Sequence, residues 1–429
     1  MKRRNRGQIL VLFTVSLVVL IGMAALGVDV GYMYSVRHEL QRCADTGALA
    51  GASYFKETGY WSSDPTDPQM VLAEARARTF ATSDTVITSP LDNTEVFVSF
   101  PANMRIRVGT QRTANLFFSR IFLGPTRTIR AYAVGEAFPV TSNVECIVPW
   151  GIPVPWNDTN SNGAWDPGEE VRWPPREEDC GTAAPTEWSY ITHDNVGTRS
   201  IRDQYLCQGS LQMLKIGEPS EQMVPGNFFG LNLAPLTESC PEYGGEIDNG
   251  AAFYSYMIKN SCKCNMKVSL NDEFPVETKP GNMVNKTLNP VAPTPYWRPD
   301  RYIPTKPDDD SLMNMDPTAV WDTLTNKPFS SDPRYTGADW YKSPRVIRLP
   351  LYYPDESYNG GEYTPDPGRS TFKPLRFVGF WIEDVARHVS DPSETNTIVG
   401  RFITVGGPGM GEGDPDPVGP HDINIRLVE

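Results

Sequence analysis

The chain has 429 residues, of which 39% are hydrophobic and 11% aromatic, and a formal net charge of −13. That composition can build packed cores and excludes wholesale disorder, while the acidic balance argues against nucleic acid or anionic lipid as partners of the soluble part. The 39 prolines and 35 glycines favour many loops and short strands over a helical bundle.

The N-terminus carries Lys2, Arg3, Arg4 and Arg6, followed by an uncharged run that begins at Ile9 and ends at Val28. At about 1.5 Å rise per residue, such a helix crosses the roughly 30 Å hydrocarbon core of a bilayer. Basic residues ahead of the span, with none close behind it, predict a cytoplasmic N-terminus and an extracytoplasmic chain from Asp29 onward. A cleaved signal peptide is the alternative, but its apolar region is shorter, and Ala24-Ala25-Leu26-Gly27 fits a cleavage site poorly. The apolar pattern also continues past the span. Val28, Tyr32, Val36, Leu40, Ala44, Ala48, Ala52 and either Phe55 or Lys56 recur at spacings of three or four, which is the stripe of one continuous helix.

Three strings in this helix carry a resemblance. Arg6-Gly7-Gln8-Ile9-Leu10-Val11-Leu12-Phe13, Gly27-Val28-Asp29-Val30-Gly31 and Arg37-His38-Glu39-Leu40-Gln41-Arg42-Cys43-Ala44-Asp45-Thr46-Gly47-Ala48-Leu49-Ala50-Gly51-Ala52 resemble the N-terminal region of TadG/TadE-like proteins of tight-adherence (Tad, or Flp) pilus systems. The resemblance implies an extracytoplasmic protein anchored in the inner (cytoplasmic) membrane, with other Tad/Flp pilus-assembly proteins or pilins as partners. Pilins and TadE-type pseudopilins carry Glu five residues after the processing-site glycine. Counted from Gly7, that position is Leu12, which favours the unprocessed, TadG-like form.

Residues 59–68 read as a loop, and Asp67 as the cap of a helix whose first residue is Pro68. Residues 95–100 and 104–108 read as a hairpin, residues 115–123 as a short apolar helix and residues 126–138 as a third strand. One long helix on three antiparallel strands is a pilin-like arrangement, and the resemblance extends weakly to Leu116-Phe117-Phe118. At Cys146 the composition shifts to Trp, Pro and Cys. Paired turns at Pro225-Gly226-Asn227 and Pro280-Gly281-Asn282 resemble those of some TadG-like proteins and have ordinary turn chemistry. Residues 289–317 read as a linker or long surface loop. Residues 345–353, 375–383 and 400–405 read as strands that also resemble the C-terminal strands of that family.

Six of the seven cysteines, Cys146, Cys180, Cys207, Cys240, Cys262 and Cys264, fall on the side of the membrane where disulfides persist. They allow many full pairings, among which sequence does not choose. Cys262-Lys263-Cys264 is too tight to bridge within itself, so each takes a different partner. A zinc site would call for a second close cysteine pair or a His-x3-5-His, and neither accompanies them. Cys43 stands apart on the long helix as a free buried thiol.

One stretch has site chemistry. Asp158, Asn160 and Asn162 stand at positions 1, 3 and 5 of a calcium loop, with Gly163 at 6, the carbonyl of Ala164 at 7, Asp166 at 9 and Glu169 at 12. Prolines flank the loop where an EF-hand has helices. Two neutral Asn ligands put its expected affinity in the extracellular range of about 10⁻⁴–10⁻³ M, as a structural Ca2+ site. Catalytic motifs are missing: there is no His-Glu-x-x-His, Gly-x-Ser-x-Gly or phosphate-binding loop.

The expected fold is therefore α+β. It comprises a basic tip and transmembrane helix (residues 1–28), a pilin-like domain with the long helix packed on an antiparallel sheet (29–145), a disulfide-bonded, calcium-binding, β-rich domain (146–405) and a flexible tail (406–429). The expected function is a non-enzymatic structural component of Tad/Flp-type pilus assembly, with neither nucleic acid nor a small-molecule substrate as partner. A minor pilin or pseudopilin at a filament tip, or a stand-alone surface adhesion protein, are the alternatives.

Overall fold

The computed structural model describes residues 6–58, 61–120, 124–154, 159, 168–169, 207–216, 227–270, 274–276, 283–292, 310–323, 327–352, 370–386, 397–406 and 422–428. The chain divides into two compact units, one of residues 1–55, 61–137 and 425–429, the other of residues 56–60 and 138–424. The architecture is α+β, as the sequence predicts.

Helix α1 (Arg6–Thr58) is a continuous 53-residue helix, about 80 Å long at 1.5 Å per residue. Its environment changes along its length. Leu12, Phe13, Val18, Leu20, Ile21 and Met23 are all more than half exposed. From Val36 onward burial follows the helical repeat: Val36, Leu40, Cys43, Ala44, Ala48, Ala52 and Phe55 are at most 1% exposed. They pack in a unit whose sheet contains β1 (Val96–Ser99), β2 (Arg105–Asn115) and β3 (Thr126–Pro139), paired antiparallel with Val96 opposite Thr110 and Gly109 opposite Tyr132.

The helical stripe is built of small residues because helix and sheet approach closely. A Cβ added to Gly135 of β3 would overlap the Ala48 carbonyl, and one on Gly51 would collide with the side chain of Ile106. Thr110, buried on β2, donates its hydroxyl to Leu40 O at 2.9 Å, so this polar group too is satisfied. Helix α2 (Pro68–Ala81) starts as predicted, with the Asp67 carboxylate accepting the Gln69 N–H at 2.8 Å, and buries Met70, Ala73, Ala77 and Ala81.

Two expectations for this unit are corrected. The helix expected over 115–123 is shortened, because Ala114 and Asn115 pair across the hairpin with Arg127 and Thr126. Residues 117–119 turn, helical geometry begins at Arg120, and the Gly124 N–H reaches Arg120 O at 3.1 Å. The tail expected at 406–429 is not wholly a tail. Asp422–Leu427 is a strand placed beside β3 in the sheet order, and its alternating Ile423, Ile425 and Leu427 supply the β-pattern that the preceding Gly/Pro run obscured.

The second unit holds a closed barrel of β4 (Trp150–Pro153), β5 (Leu211–Ile216), β6 (Asn227–Gly230), β7 (Val346–Tyr352), β8 (Arg376–Ala386) and β9 (Thr397–Ile403). The order is β7-β8-β9-β5-β6-β4, closed by parallel pairing of Ile152 with Leu351. Trp150, Ile152, Leu214, Phe228, Leu349, Leu351, Phe380, Ile382, Ile398 and Phe402 form one apolar cluster, so the barrel is a packed core. Helix α3 (Ala251–Asn260) adds Tyr254 and Ile258 to it, and α4 (Met283–Val291) adds Leu288 and Val291. The two helices are tied by a 2.9 Å hydrogen bond between the Tyr254 and Thr287 hydroxyls, and burial pushes the Tyr254 phenol up to about 12.

Disulfides join Cys146 to Cys262 and Cys240 to Cys264, so the two close cysteines do take different partners. Cys207 is disulfide-bonded as well, Cys180 lies outside the described residues, and Cys43 is free and buried. The predicted linker is structured at both ends: residues 289–291 complete α4, and Leu312–Met315 is a short helix. Pro225, Gly226, Pro280, Gly281 and Asn282 lie outside the described residues.

Candidate functional site

A buried, multiply hydrogen-bonded carboxylate of the first unit lies where the apolar run of α1 ends. Asp29 is fully buried. Its Oδ1 accepts the N–H of Phe117 at 2.9 Å, and its Oδ2 accepts the N–H of Phe118 at 2.8 Å, the N–H of Ser119 at 2.5 Å and the Ser119 hydroxyl at 2.6 Å. One donor reaches Oδ1 and three converge on Oδ2, as suits an ionised carboxylate, which only accepts. The three amides precede the helical turn at Arg120 and would otherwise be unsatisfied, so Asp29 caps that turn from another element. Tyr32, one turn further along α1, packs edge-on against Phe117 with ring centroids 5.4 Å apart. The sequence marks Asp29 as the end of the uncharged run but does not name its partners. The signal for its role was available: a lone carboxylate between glycines inside a helix needs a partner once buried.

Of the predicted calcium ligands, Asp158, Asn160, Asn162, Ala164 and Asp166 lie outside the described residues. Glu169 is described and buried. Its Oε1 accepts the Thr159 N–H at 2.8 Å and the Thr159 hydroxyl at 3.1 Å, which brings the last residue of the loop against its second. Among the described residues no group of three His, Cys, Asp or Glu side chains is placed to hold a metal ion.

The barrel unit carries a buried polar network that no local sequence pattern marks. The Arg345 guanidinium donates to the carbonyls of Ile382 at 2.9 Å, Ala319 at 2.9 Å, Asp316 at 3.2 Å and Glu383 at 2.7 Å, and lies 5.0 Å from the Trp381 ring centroid. Asp316 accepts hydroxyls from Ser330 and Ser343 at 2.7 and 2.5 Å. Glu383 pairs with Arg401 at 2.7 Å; burial pushes its carboxyl up, and the Arg401 charge and hydrogen bond oppose that. The groups hold one another, and the network ties the loop around 316–319 to β8. His38 is exposed on α1 beside Tyr34, and His193, His388 and His421 lie outside the described residues.

These features define a class: an α+β protein carried on one N-terminal helix long and apolar enough to cross a membrane, with its first buried carboxylate at the end of the apolar run. Residues 7–53 match the family model described as Putative Flp pilus-assembly TadE/G-like. The match lies within α1, and the looser likenesses at Leu116-Phe117-Phe118, the Pro-Gly-Asn turns and the C-terminal strands are not part of it. Neither a curated protein nor a solved structure matches the chain.

Proposed function

We propose that this protein is a single-pass membrane protein acting as a structural, non-enzymatic component of Tad/Flp-type pilus assembly, with the chain from Asp29 onward outside the cytoplasm. The observation that carries the reading is the division of α1. One helix, matched by a pilus-assembly family, exposes large apolar side chains over its first half and is the buried spine of an α+β unit over its second. A helix apolar all round suits lipid, where its internal hydrogen bonds satisfy the backbone. Lys2, Arg3, Arg4 and Arg6 keep the N-terminus cytoplasmic, and Leu12, in place of a pilin's Glu, leaves the anchor unprocessed. Its partners are other Tad/Flp assembly proteins or pilins, and the 158–169 loop takes a structural calcium ion.

Topology and processing are tested together. Alkaline phosphatase, active only when exported, is expected to be active when fused after Val428, and a cytoplasm-only reporter silent; the reverse pattern overturns the reading. Mass spectrometry should find residues 1–7 attached, whereas N-methylated Gln8 as first residue would make the protein a minor pilin.

A further inference from the structure

We propose that Phe117 and Phe118, at the tip of the β2–β3 hairpin, form a second membrane contact seated in the headgroup layer of an anionic bilayer and held at that depth by Asp29. The inference rests on the reading of residues 9–28 as a membrane span, and deepens it.

Depth comes first. Asp29 is the first residue after the uncharged run, and its carboxylate holds the amides of Phe117 and Phe118 at 2.9 and 2.8 Å. Whatever level Asp29 occupies, the two phenylalanines share it to within a side chain's length, and a span ending at Val28 puts that level at the edge of the hydrocarbon. Exposure comes second. Phe117 is 57% and Phe118 51% exposed, although the carboxylate clamp fixes their backbone. Tyr32 packs on Phe117, and Tyr34 is exposed nearby along α1. Aromatic rings gather at this layer because their apolar faces and polar edges suit its gradient. The exposed apolar surface of α1 continues through Val28 and Val30, so the patch adjoins the span directly.

Charge is the third observation. A net −13 argues against anionic lipid for the soluble part as a whole, yet the average conceals one region. Between Glu95 and Glu136 there is no acidic residue, while Arg105, Arg107, Arg112, Arg120, Arg127 and Arg130 lie there. Arg112 pairs with Glu95 and Arg105 with Glu136. Arg120, in the connection two residues past Phe118, and Arg127, on β3 one pair back from the end of the hairpin, are both exposed. Aromatic residues at the tip with basic residues beside them are the pattern that anionic headgroups attract. A single helix leaves the domain it carries free to tilt and to spin about the helix axis. A second contact beside the first removes both freedoms and presents the sheet in one pose.

The test places p-benzoylphenylalanine at position 118, 20 or 97 of the full chain in vesicles of phosphatidylglycerol and phosphatidylethanolamine, and measures photo-crosslinking to lipid. Position 20 reports the span, and position 97 is an exposed aromatic site on β1. Positions 20 and 118 are expected to label, with 97 at least fivefold weaker. Replacing phosphatidylglycerol by phosphatidylcholine should lower labelling at 118 severalfold and leave 20 unchanged, with no mutation to disturb the fold. Asp29→Ala should lower it at 118 alone. Labelling at 118 no stronger than at 97, with 20 labelled, overturns the second contact and leaves the span standing. No labelling at 20 overturns the span itself. Labelling at 118 that ignores lipid charge overturns the electrostatic part of the proposal.

Discussion

Arg112 shows how much of the first unit one side chain can hold. Its guanidinium donates to Val86 O at 2.8 Å, Ser89 O at 2.9 Å, Pro90 O at 2.7 Å and both carboxylate oxygens of Glu95 at 2.6 and 3.2 Å. It thereby fastens a segment in which Ile87, a β-branched residue, sits at φ 67°, a conformation that must be held by its surroundings. A lysine ammonium cannot span this set of acceptors. Arg112→Lys should therefore cost about 2 kcal/mol of stability, read from the shift in urea midpoint. The Arg112 hydrogen bond also holds the Glu95 carboxyl below its ordinary 4.5. A carboxyl depressed in the folded state contributes stability that is fully present above the unfolded value and lost as pH falls through the folded one. The urea midpoint of the parent should therefore drop as pH is lowered below about 4.5, and Glu95→Gln should remove part of that drop. A mutant whose acid limb superimposes on the parent's would refute the assignment.

At the scale of elements, the stripe on α1 makes glycine do opposite things at two places. Gly→Ala in a helix ordinarily gains up to about 1 kcal/mol in propensity. Nothing lies within 4 Å of a Cβ on Gly22, whereas one on Gly51 meets Ile106. Gly22→Ala should leave the thermal midpoint in detergent unchanged or raised, and Gly51→Ala should lower it by an amount equivalent to about 1–3 kcal/mol, the cost of overpacking. Equal effects would mean that the helix does not lie this close to the sheet. The 158–169 loop makes a different demand. Calcium at ten times its dissociation constant would stabilise the fold by about 1.4 kcal/mol, and Glu169→Gln should abolish most of that gain. In chelator the two proteins should melt alike, because the glutamine carbonyl oxygen can still accept the Thr159 N–H that Glu169 accepts now. Identical melting of parent and mutant with and without calcium would reduce the loop to a turn.

At the scale of the whole molecule, the disulfides differ in what they close. Cys146–Cys262 joins positions 116 apart and Cys240–Cys264 positions 24 apart. Loop-closure entropy assigns about 4.7 kcal/mol to a loop of some 100 residues and about 3 kcal/mol to one of some 15. Replacing Cys146 and Cys262 by serine should therefore lower the denaturant midpoint of the barrel unit more than replacing Cys240 and Cys264. The reverse order would show that packing around the shorter crosslink, not chain entropy, decides.

The sequence by itself determined whatever depends on neighbours along the chain. The uncharged run, the helical stripe from Val28 to its end, the Asp67 cap, the alternation of β2 and the separate partners of Cys262 and Cys264 are all set by periodicity or by short covalent geometry. Tertiary structure decided what depends on residues far apart. Nothing local tells Asp29 that its hydrogen-bond donors lie at Phe117 to Ser119, or Arg345 that four carbonyls from two segments will surround it. Asp422–Leu427 lies in the sheet beside β3, which precedes it by nearly 300 residues, and a Gly/Pro run ahead of it made it look like tail. The barrel is the largest such case. Its β7, β8 and β9 are legible singly, whereas β4, β5 and β6 are only four to six residues long and carry too little pattern to be read, and the closing order is set by pairings and a shared apolar core to which no single strand's pattern points.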